Sequence, residues 1–146
     1  MIIVSSCLCG INCRYDGSNN LDTRVLKLLK EGKAISVCPE QLGGLATPRE
    51  PCEILNGSGL DVIDGKATII GAKNNDLTSS FLKGAYETLK IAEKMGATTA
   101  ILKARSPSCG VSKIYDGTFS GILRPGNGVA AELLLSKGIK VFTEED

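Results

Sequence analysis

Residues 22–38, DTRVLKLLKEGKAISVC, decide the fold because they predict a helix followed directly by a strand. The helix begins after Asp22, a good N-cap residue, and ends at Gly32. Its apolar face is formed by Val25, Leu28 and Leu29. The strand over 34–38 follows, and the apolar residues 2–5, IIVS, predict another strand ahead of the helix. The first quarter of the chain is therefore a strand–helix–strand unit.

The remaining sequence continues this alternation of strands and helices. It predicts an ordered loop over 39–60, a β-hairpin over 60–70 turning at Asp64-Gly65, a long helix from Asp76 or Thr78 to Gly96, a strand over 99–104, a loop over 105–128, a helix over 129–135 and a strand over 139–142. Strands separated by amphipathic helices are typical of a parallel sheet. We therefore predict an α/β fold in a single domain over 1–146, with a three-layer, Rossmann-like, mainly parallel sheet, flanking helices and a small β-hairpin.

Composition excludes several functional classes. The chain of 146 residues is 42% apolar, so it can bury a core. A net charge of +1 and an aromatic share of 4% argue against DNA and tRNA as partners. No apolar run approaches the roughly 20 residues of a membrane helix, and the N-terminus does not resemble a signal peptide. We expect a cytoplasmic protein with no membrane partner.

The chain has six cysteines and no histidine. Without histidine it lacks the usual general base and the commonest metal ligand. Disulfides are rare in cytoplasmic proteins, so we expect the cysteines to bind metal or to perform thiol chemistry. No pair of Cys-x2-Cys motifs indicates a zinc ribbon, and neither a dicluster ferredoxin motif nor a redox Cys-x-x-Cys motif is present.

Three of the cysteines follow predicted strands. Cys7 follows the first strand, Cys38 ends the second, and Cys109 lies in the loop after the strand over 99–104. Parallel sheets bind ligands beyond the carboxyl ends of their strands, so these three thiols are expected to meet. Such a set would suit an iron–sulfur cluster with one iron left open as a Lewis acid. Burial as small core residues is the alternative interpretation, and we prefer it for Cys9, Cys13 and Cys52.

Other chemically useful residues lie in the same predicted loops. Glu40 follows Cys38 by two residues and is either a general acid or base or a solvated loop carboxylate. The hydroxyls of Ser106 and Ser108 could hold a polar ligand or simply form a capped turn. Three arginines near cysteines could offset negative charge or be surface side chains, namely Arg14, Arg49 and Arg105.

The spacing Cys-Gly-x4-Tyr-Asp-Gly occurs twice, at 9–17 and at 109–117. A true repeat would pair Cys9 with Cys109. Two loops of nine residues do not make a repeat architecture. We therefore interpret both as loops that use Asp-Gly as a turn, with a tyrosine packed beneath.

Three groups of motifs carry a resemblance to a known family. They are SCL at 6–8 with Gly10 and CRYDG at 13–17, VCPE at 37–40 with GGL at 43–45 and Pro48-Arg49, and LK-x-RSPSCG at 102–110 with YDGTF at 115–119. In this order, and over nearly the whole chain, they resemble the thiouracil desulfidase domain in its short stand-alone form. The resemblance implies a [4Fe-4S] cluster with three cysteine ligands and one open iron.

The resemblance also implies the residues of the site. The three ligands map onto Cys7, Cys38 and Cys109, with Cys13 less favoured as a ligand. The catalytic acid or base maps onto Glu40, and the active-site serine falls in residues 106–108, for which we take Ser106. We assign substrate binding to Ser108 and Arg105.

The implied reaction is the non-redox removal of sulfur from a thiolated pyrimidine such as 2-thiouracil, giving uracil and hydrogen sulfide. Two alternatives stay open at this point. The chain could be a non-catalytic metal or iron–sulfur protein that binds through its cysteines, or a desulfidase of thiolated nucleosides or tRNA.

Overall fold

The computed structural model describes residues 1–146 and alternates strands with helices through most of the chain. In chain order the elements are β1 (Ile2–Ser5), a 3₁₀-helix (Ser6–Cys9), α1 (Thr23–Lys30), β2 (Ala34–Val37), α2 (Pro39–Leu42), β3 (Cys52–Leu55), α3 (Gly59–Ile63), β4 (Thr68–Gly71), α4 (Thr78–Lys94), β5 (Thr99–Leu102), β6 (Lys113–Tyr115), β7 (Leu123–Pro125), α5 (Val129–Ser136) and β8 (Lys140–Thr143). No helix combines the length and the apolar character needed to cross a bilayer.

Four parallel strands form the central sheet in the order β2-β1-β5-β8. Two antiparallel pairs, β3-β4 and β6-β7, lie outside it. The predicted α/β fold with a mainly parallel sheet is therefore confirmed. Because the chain passes from β1 to β2 on one side and later to β5 on the other, the strand order reverses between β1 and β5. Ligand sites of open α/β sheets form at such a point.

Both faces of the sheet are covered. Successive side chains of a strand point to opposite faces, and in β1 Ile3 and Val4 belong to different buried clusters. Val4 packs in the cluster that contains Val25 of α1. Ile3 packs in the larger cluster, which contains Phe81 of α4 and Leu134 of α5. The sheet thus lies between helices, as the predicted three-layer arrangement requires.

The predicted hairpin over 60–70 is wrong in its first strand. Residues Gly59–Ile63 form α3, and β4 pairs instead with β3, which the sequence analysis placed in a loop. The backbone N–H and the hydroxyl of Ser58 both donate to the carboxylate of Asp61, at 2.9 and 3.1 Å. This interaction caps the helix start. Asp64-Gly65 then follows the helix end rather than forming a hairpin turn.

The two predicted loops also contain regular structure. Residues 39–60 include α2 as well as β3, and residues 105–128 include the hairpin of β6 and β7. These elements are only three or four residues long. Segments this short span at most two periods of hydrophobic alternation, and they lack the continuous apolar run that marks a strand such as β1, so the pattern gives little signal for them. The longer predicted elements lie close to their observed positions.

Helices α2 and α4 meet backbone to backbone at two glycines. A Cβ atom on Gly84 would lie 1.9 Å from the carbonyl oxygen of Pro39, and a Cβ atom on Gly43 would lie 2.0 Å from that of Ser80. Real Cβ atoms do not approach this closely, so only glycine permits the contact. The contact fixes the position of α2, which begins directly after Cys38 and contains Glu40.

We expect Gly84→Ala to destabilise the protein because the added methyl group forces α2 away from α4. Overpacking of this kind costs about 1–3 kcal/mol. Urea denaturation followed by circular dichroism measures the change. Lys83→Ala is the matched control, since Lys83 is exposed on the same helix and its replacement adds no contact. Equal midpoints for the two variants would contradict this account of the contact.

Candidate active site

A cavity of about 530 Å³ lies at the carboxyl ends of β1, β2 and β5. Residues that follow each of these strands contribute to its wall. Five of the six cysteines line it, namely Cys7, Cys13, Cys38, Cys52 and Cys109. The structure therefore brings the three predicted ligands to one place. It also adds two thiols that the sequence analysis assigned to structural roles, whereas Cys9 lies outside the cavity wall.

Each of the three predicted ligands is held by a different strand end. Cys7 lies in the 3₁₀-helix after β1, and Cys38 immediately precedes α2. Cys109 lies in the loop after β5, where the hydroxyl of Ser5 donates to its sulfur at 3.6 Å. Ser5 also accepts the backbone N–H of Lys103 at 2.9 Å, so one hydroxyl ties the ends of β1 and β5 together. All three cysteines are buried, and all six thiols of the chain are free.

The donor set fits an iron–sulfur group better than a single metal ion. No three Cys, Asp or Glu side chains are clustered closely enough to hold one ion. In a cubane each thiolate binds a different iron, so its ligands stand farther apart than those of one ion. Cysteine thiolates are the usual ligands of iron–sulfur clusters.

The thiols of Cys7, Cys13 and Cys38 line the same cavity. Hydrogen bonding by the Cys13 thiol lowers the pKa of Cys7 to about 7 and also lowers the pKa of Cys38. The same interactions raise the pKa of Cys13. Burial raises the pKa of Cys109, with the nearby carboxylate of Glu40 adding to the effect. Cys7 and Cys38 are thus the two cavity thiols with a lowered pKa.

Glu40 lies on α2 and lines the cavity beside the thiols. Its Oε2 atom is 3.4 Å from Nη2 of Arg49, whereas its Oε1 atom is buried and has no hydrogen-bond partner. The same Arg49 nitrogen donates to the carbonyl oxygen of Cys13 at 2.9 Å. Buried carboxylate oxygens are normally paired. Oε1 is therefore the oxygen of Glu40 that still lacks a hydrogen-bond donor.

We expect Arg49→Leu to destabilise the protein, since it leaves Glu40 Oε2 without its donor and leaves the carbonyl of Cys13 with only the long contact from the Cys38 thiol. The Arg49 side chain is only 9% exposed. An unpaired buried polar group costs about 1–3 kcal/mol. Urea denaturation checks this, with Lys90→Leu as the control because Lys90 forms only an exposed ion pair with Glu87. Equal stability of both variants would show that the Arg49 contacts contribute nothing.

The remaining predicted site residues lie in the loop after β5, and not all of them reach the cavity. Ser106 lines the cavity, and its hydroxyl accepts the backbone N–H of Cys109 at 2.8 Å. Arg105 also lines the cavity and forms an ion pair with Glu145. Ser108 is fully buried outside the cavity wall, and its hydroxyl has no partner. The structure therefore brings Ser106 and Arg105 to the thiols and Glu40, but not Ser108.

The repeated Tyr-Asp-Gly sequences form turns, as predicted, but Tyr15 is exposed rather than packed beneath its turn. Both sequences also reach the cavity. Asp16 and Asp116 each accept the backbone N–H of the residue two positions later, at 3.0 Å. Tyr15 and Tyr115, which precede them, both line the cavity wall. The sequence analysis missed this role. The repeated spacing was the available signal, because in each loop a tyrosine follows a cysteine by the same number of residues in sequence.

The fold and cavity define an α/β protein with a thiol-lined ligand site at the switch point of its parallel sheet. The family model described as 2-thiouracil desulfurase matches residues 2–146, and the chain belongs to this family. The predicted family resemblance is confirmed.

Two individual proteins show the extent of the similarity. The chain is 49% identical over 146 residues to the protein YbbK of Bacillus subtilis (strain 168), covering 100% of this chain and 97% of that protein. Its structure matches that of the [4Fe-4S]-dependent thiouracil desulfidase TudS with a TM-score of 0.86 and 38% identity. This match covers 99% of this chain and 90% of that one.

Proposed function

We propose that this chain is a [4Fe-4S]-dependent desulfidase of thiolated pyrimidines, which converts 2-thiouracil and water into uracil and hydrogen sulfide. The observation that carries the proposal is the meeting of Cys7, Cys38 and Cys109 at one cavity that also contains Glu40. Membership of the 2-thiouracil desulfurase family supports it. The likeness to a structure named as a [4Fe-4S]-dependent thiouracil desulfidase supports the choice of cofactor.

In this proposal Cys7, Cys38 and Cys109 hold the cluster. When bound with one iron free of protein ligands, such a cluster would supply a Lewis acid toward the thiocarbonyl sulfur of the substrate. The chain contributes positive charge beside the thiolates. After the hydrogen bond from Cys13, Lys103 further lowers the pKa of Cys7, and Arg49 does the same for Cys38.

In this proposal Glu40 and Ser106 transfer protons between water and the substrate. Oε1 of Glu40 takes a proton from the water that attacks the ring carbon, while Arg49 holds the other carboxylate oxygen. The proton is returned when the carbon–sulfur bond breaks. Ser106 can donate its hydroxyl proton toward the substrate while it accepts the N–H of Cys109. Arg105, at the cavity wall, orients the substrate. Oxygen from water replaces sulfur at the ring carbon, and the reaction involves no net transfer of electrons.

The test uses protein purified and reconstituted without oxygen. The protein is incubated with 2-thiouracil, and uracil and sulfide are measured together. We expect the two products in equal amounts, and none from cluster-free protein. Fully loaded protein that forms no uracil from 2-thiouracil or 4-thiouracil would overturn the proposal.

A non-catalytic iron–sulfur protein is the second candidate, favoured by the presence of Cys13 in the same cavity as Cys7 and Cys38. With four cysteine ligands, every iron of a [4Fe-4S] cluster would be bound by the protein, and none would be free to bind substrate. Cys13→Ala separates the two functions. Under the desulfidase proposal this variant keeps its iron and its turnover, whereas a four-cysteine cluster would lose iron.

A further inference from the structure

Most aromatic side chains of this chain surround the thiol-lined cavity. The sequence contains three Phe, three Tyr and no Trp. Four of these six residues line the cavity, namely Tyr15, Phe81, Tyr115 and Phe119. Only Phe81 is fully buried in the hydrophobic core, so core packing does not account for the other three. Aromatic faces gathered around one cavity suit a flat, ring-shaped ligand.

Among these four residues, only Phe119 has a positive backbone φ angle. It lies in the connection between β6 and β7 with φ at +55°, in the left-handed region that bulky residues avoid. Its side chain is 39% exposed, so burial offers little to offset this strain. Strained residues of this kind concentrate at ligand clamps and active sites.

The surrounding contacts hold Phe119 in this conformation. Oε1 of Glu53 accepts the backbone N–H of Gly117 at 3.0 Å and that of Phe119 at 3.2 Å. Gly117, with φ at +93°, lies so close to β3 that a Cβ atom would be 2.6 Å from the carbonyl oxygen of Ile54. The turn at Asp116 adds two bonds, from the N–H and the hydroxyl of Thr118. The backbone that carries the aromatic ring is thus set in place before any ligand arrives, which limits the backbone entropy lost on binding.

We propose that Phe119 binds the substrate by packing its ring against the face of the pyrimidine, and that Glu53 is the positioning residue that holds the backbone of Phe119. The identity of the ring rests on the proposed function. The contact recognises the flat face of the base rather than its sulfur. Substrate and desulfurated product should therefore both depend on Phe119.

The chain offers a matched control for Phe119 in Phe142. Phe142 is 44% exposed, lies in β8 and does not line the cavity. Asparagine tolerates the left-handed backbone, so Phe119→Asn removes the ring without disturbing the turn. Calorimetric titration of cluster-loaded protein with uracil is expected to give a Kd about tenfold higher for Phe119→Asn. Phe142→Asn is expected to bind uracil as the unchanged protein does. Phe119→Tyr, which keeps an aromatic ring, is also expected to keep the Kd of the unchanged protein.

The role of Glu53 is tested by a second pair of variants. Glu53→Ala removes the acceptor of both N–H groups and is expected to weaken uracil binding to about the same degree as Phe119→Asn, with iron content unchanged. Glu53→Gln keeps an acceptor oxygen and is expected to bind normally. A loss shared by both variants, or by neither, would remove Glu53 from the positioning role.

Uracil carries no sulfur and needs no turnover, so this test is independent of the desulfidase activity. Equal Kd values for Phe119→Asn and Phe142→Asn would overturn the proposal even if the enzyme releases sulfide normally. Absence of uracil and 2-thiouracil binding to the unchanged protein would also overturn it. If binding depends on Phe119 while no sulfide is released, the ring contact stands and only the proposed function fails.

Discussion

Replacing Cys109 by serine is expected to remove most of the iron and acid-labile sulfide from protein purified without oxygen, and to lower desulfurase turnover at least about 100-fold. Cys109 is buried in the loop after β5, and its sulfur accepts the hydroxyl hydrogen of Ser5. Serine matches its shape, so the fold should be retained. A hydroxyl is a hard ligand that is protonated at neutral pH, and iron–sulfur clusters are held by thiolates.

Cys9→Ser is the control that separates ligation from burial. Cys9 is as buried as the proposed ligands and lies two residues from Cys7, but it does not line the cavity. Iron, sulfide and far-UV circular dichroism are measured for both variants. We expect Cys9→Ser to retain the iron and sulfide content of the unchanged protein. Full iron content in Cys109→Ser, together with unchanged turnover, would contradict the three-cysteine site.

The sequence predicted the central sheet and the place of the thiols because both depend on strong local signals. Short apolar runs separated by amphipathic helices indicate parallel strands, and Cys7, Cys38 and Cys109 each follow such a run. Parallel topology then places all three at one edge of the sheet. This step needs no knowledge of strand order, since the carboxyl ends of all parallel strands lie on the same side.

The features that sequence could not predict depend on contacts between distant segments. The pairing of β3 with β4 was missed because Asp64-Gly65 suits either a hairpin turn or a helix end, and the Ser58–Asp61 cap decides between them. The contact of Arg49 with Glu40 joins a loop to α2, and the position of α2 follows from its packing on α4. The burial of Ser108 likewise depends on the N-terminus of α5, whose backbone N–H groups its carbonyl accepts.

Glu40→Gln is expected to lower kcat for 2-thiouracil by about 10²- to 10⁴-fold, the usual contribution of a general acid or base. The amide has nearly the same size and keeps an oxygen that can accept from Arg49, so the fold and the cavity should be retained. It cannot take a proton from water. Because the cluster ligands are unaltered, iron content and visible absorbance should match those of the unchanged protein, and KM should change little.

This combination of outcomes distinguishes proton transfer from a structural role. A structural role would lower iron content or the urea midpoint together with kcat, as Arg49→Leu is expected to do for stability. Glu87→Gln, at an exposed position on α4, controls for the loss of one carboxylate and should leave kcat unchanged. A kcat for Glu40→Gln within about threefold of the unchanged protein would exclude Glu40 as the proton-transfer group, since general acid–base catalysis contributes far more. The water would then require another base among the residues that line the cavity.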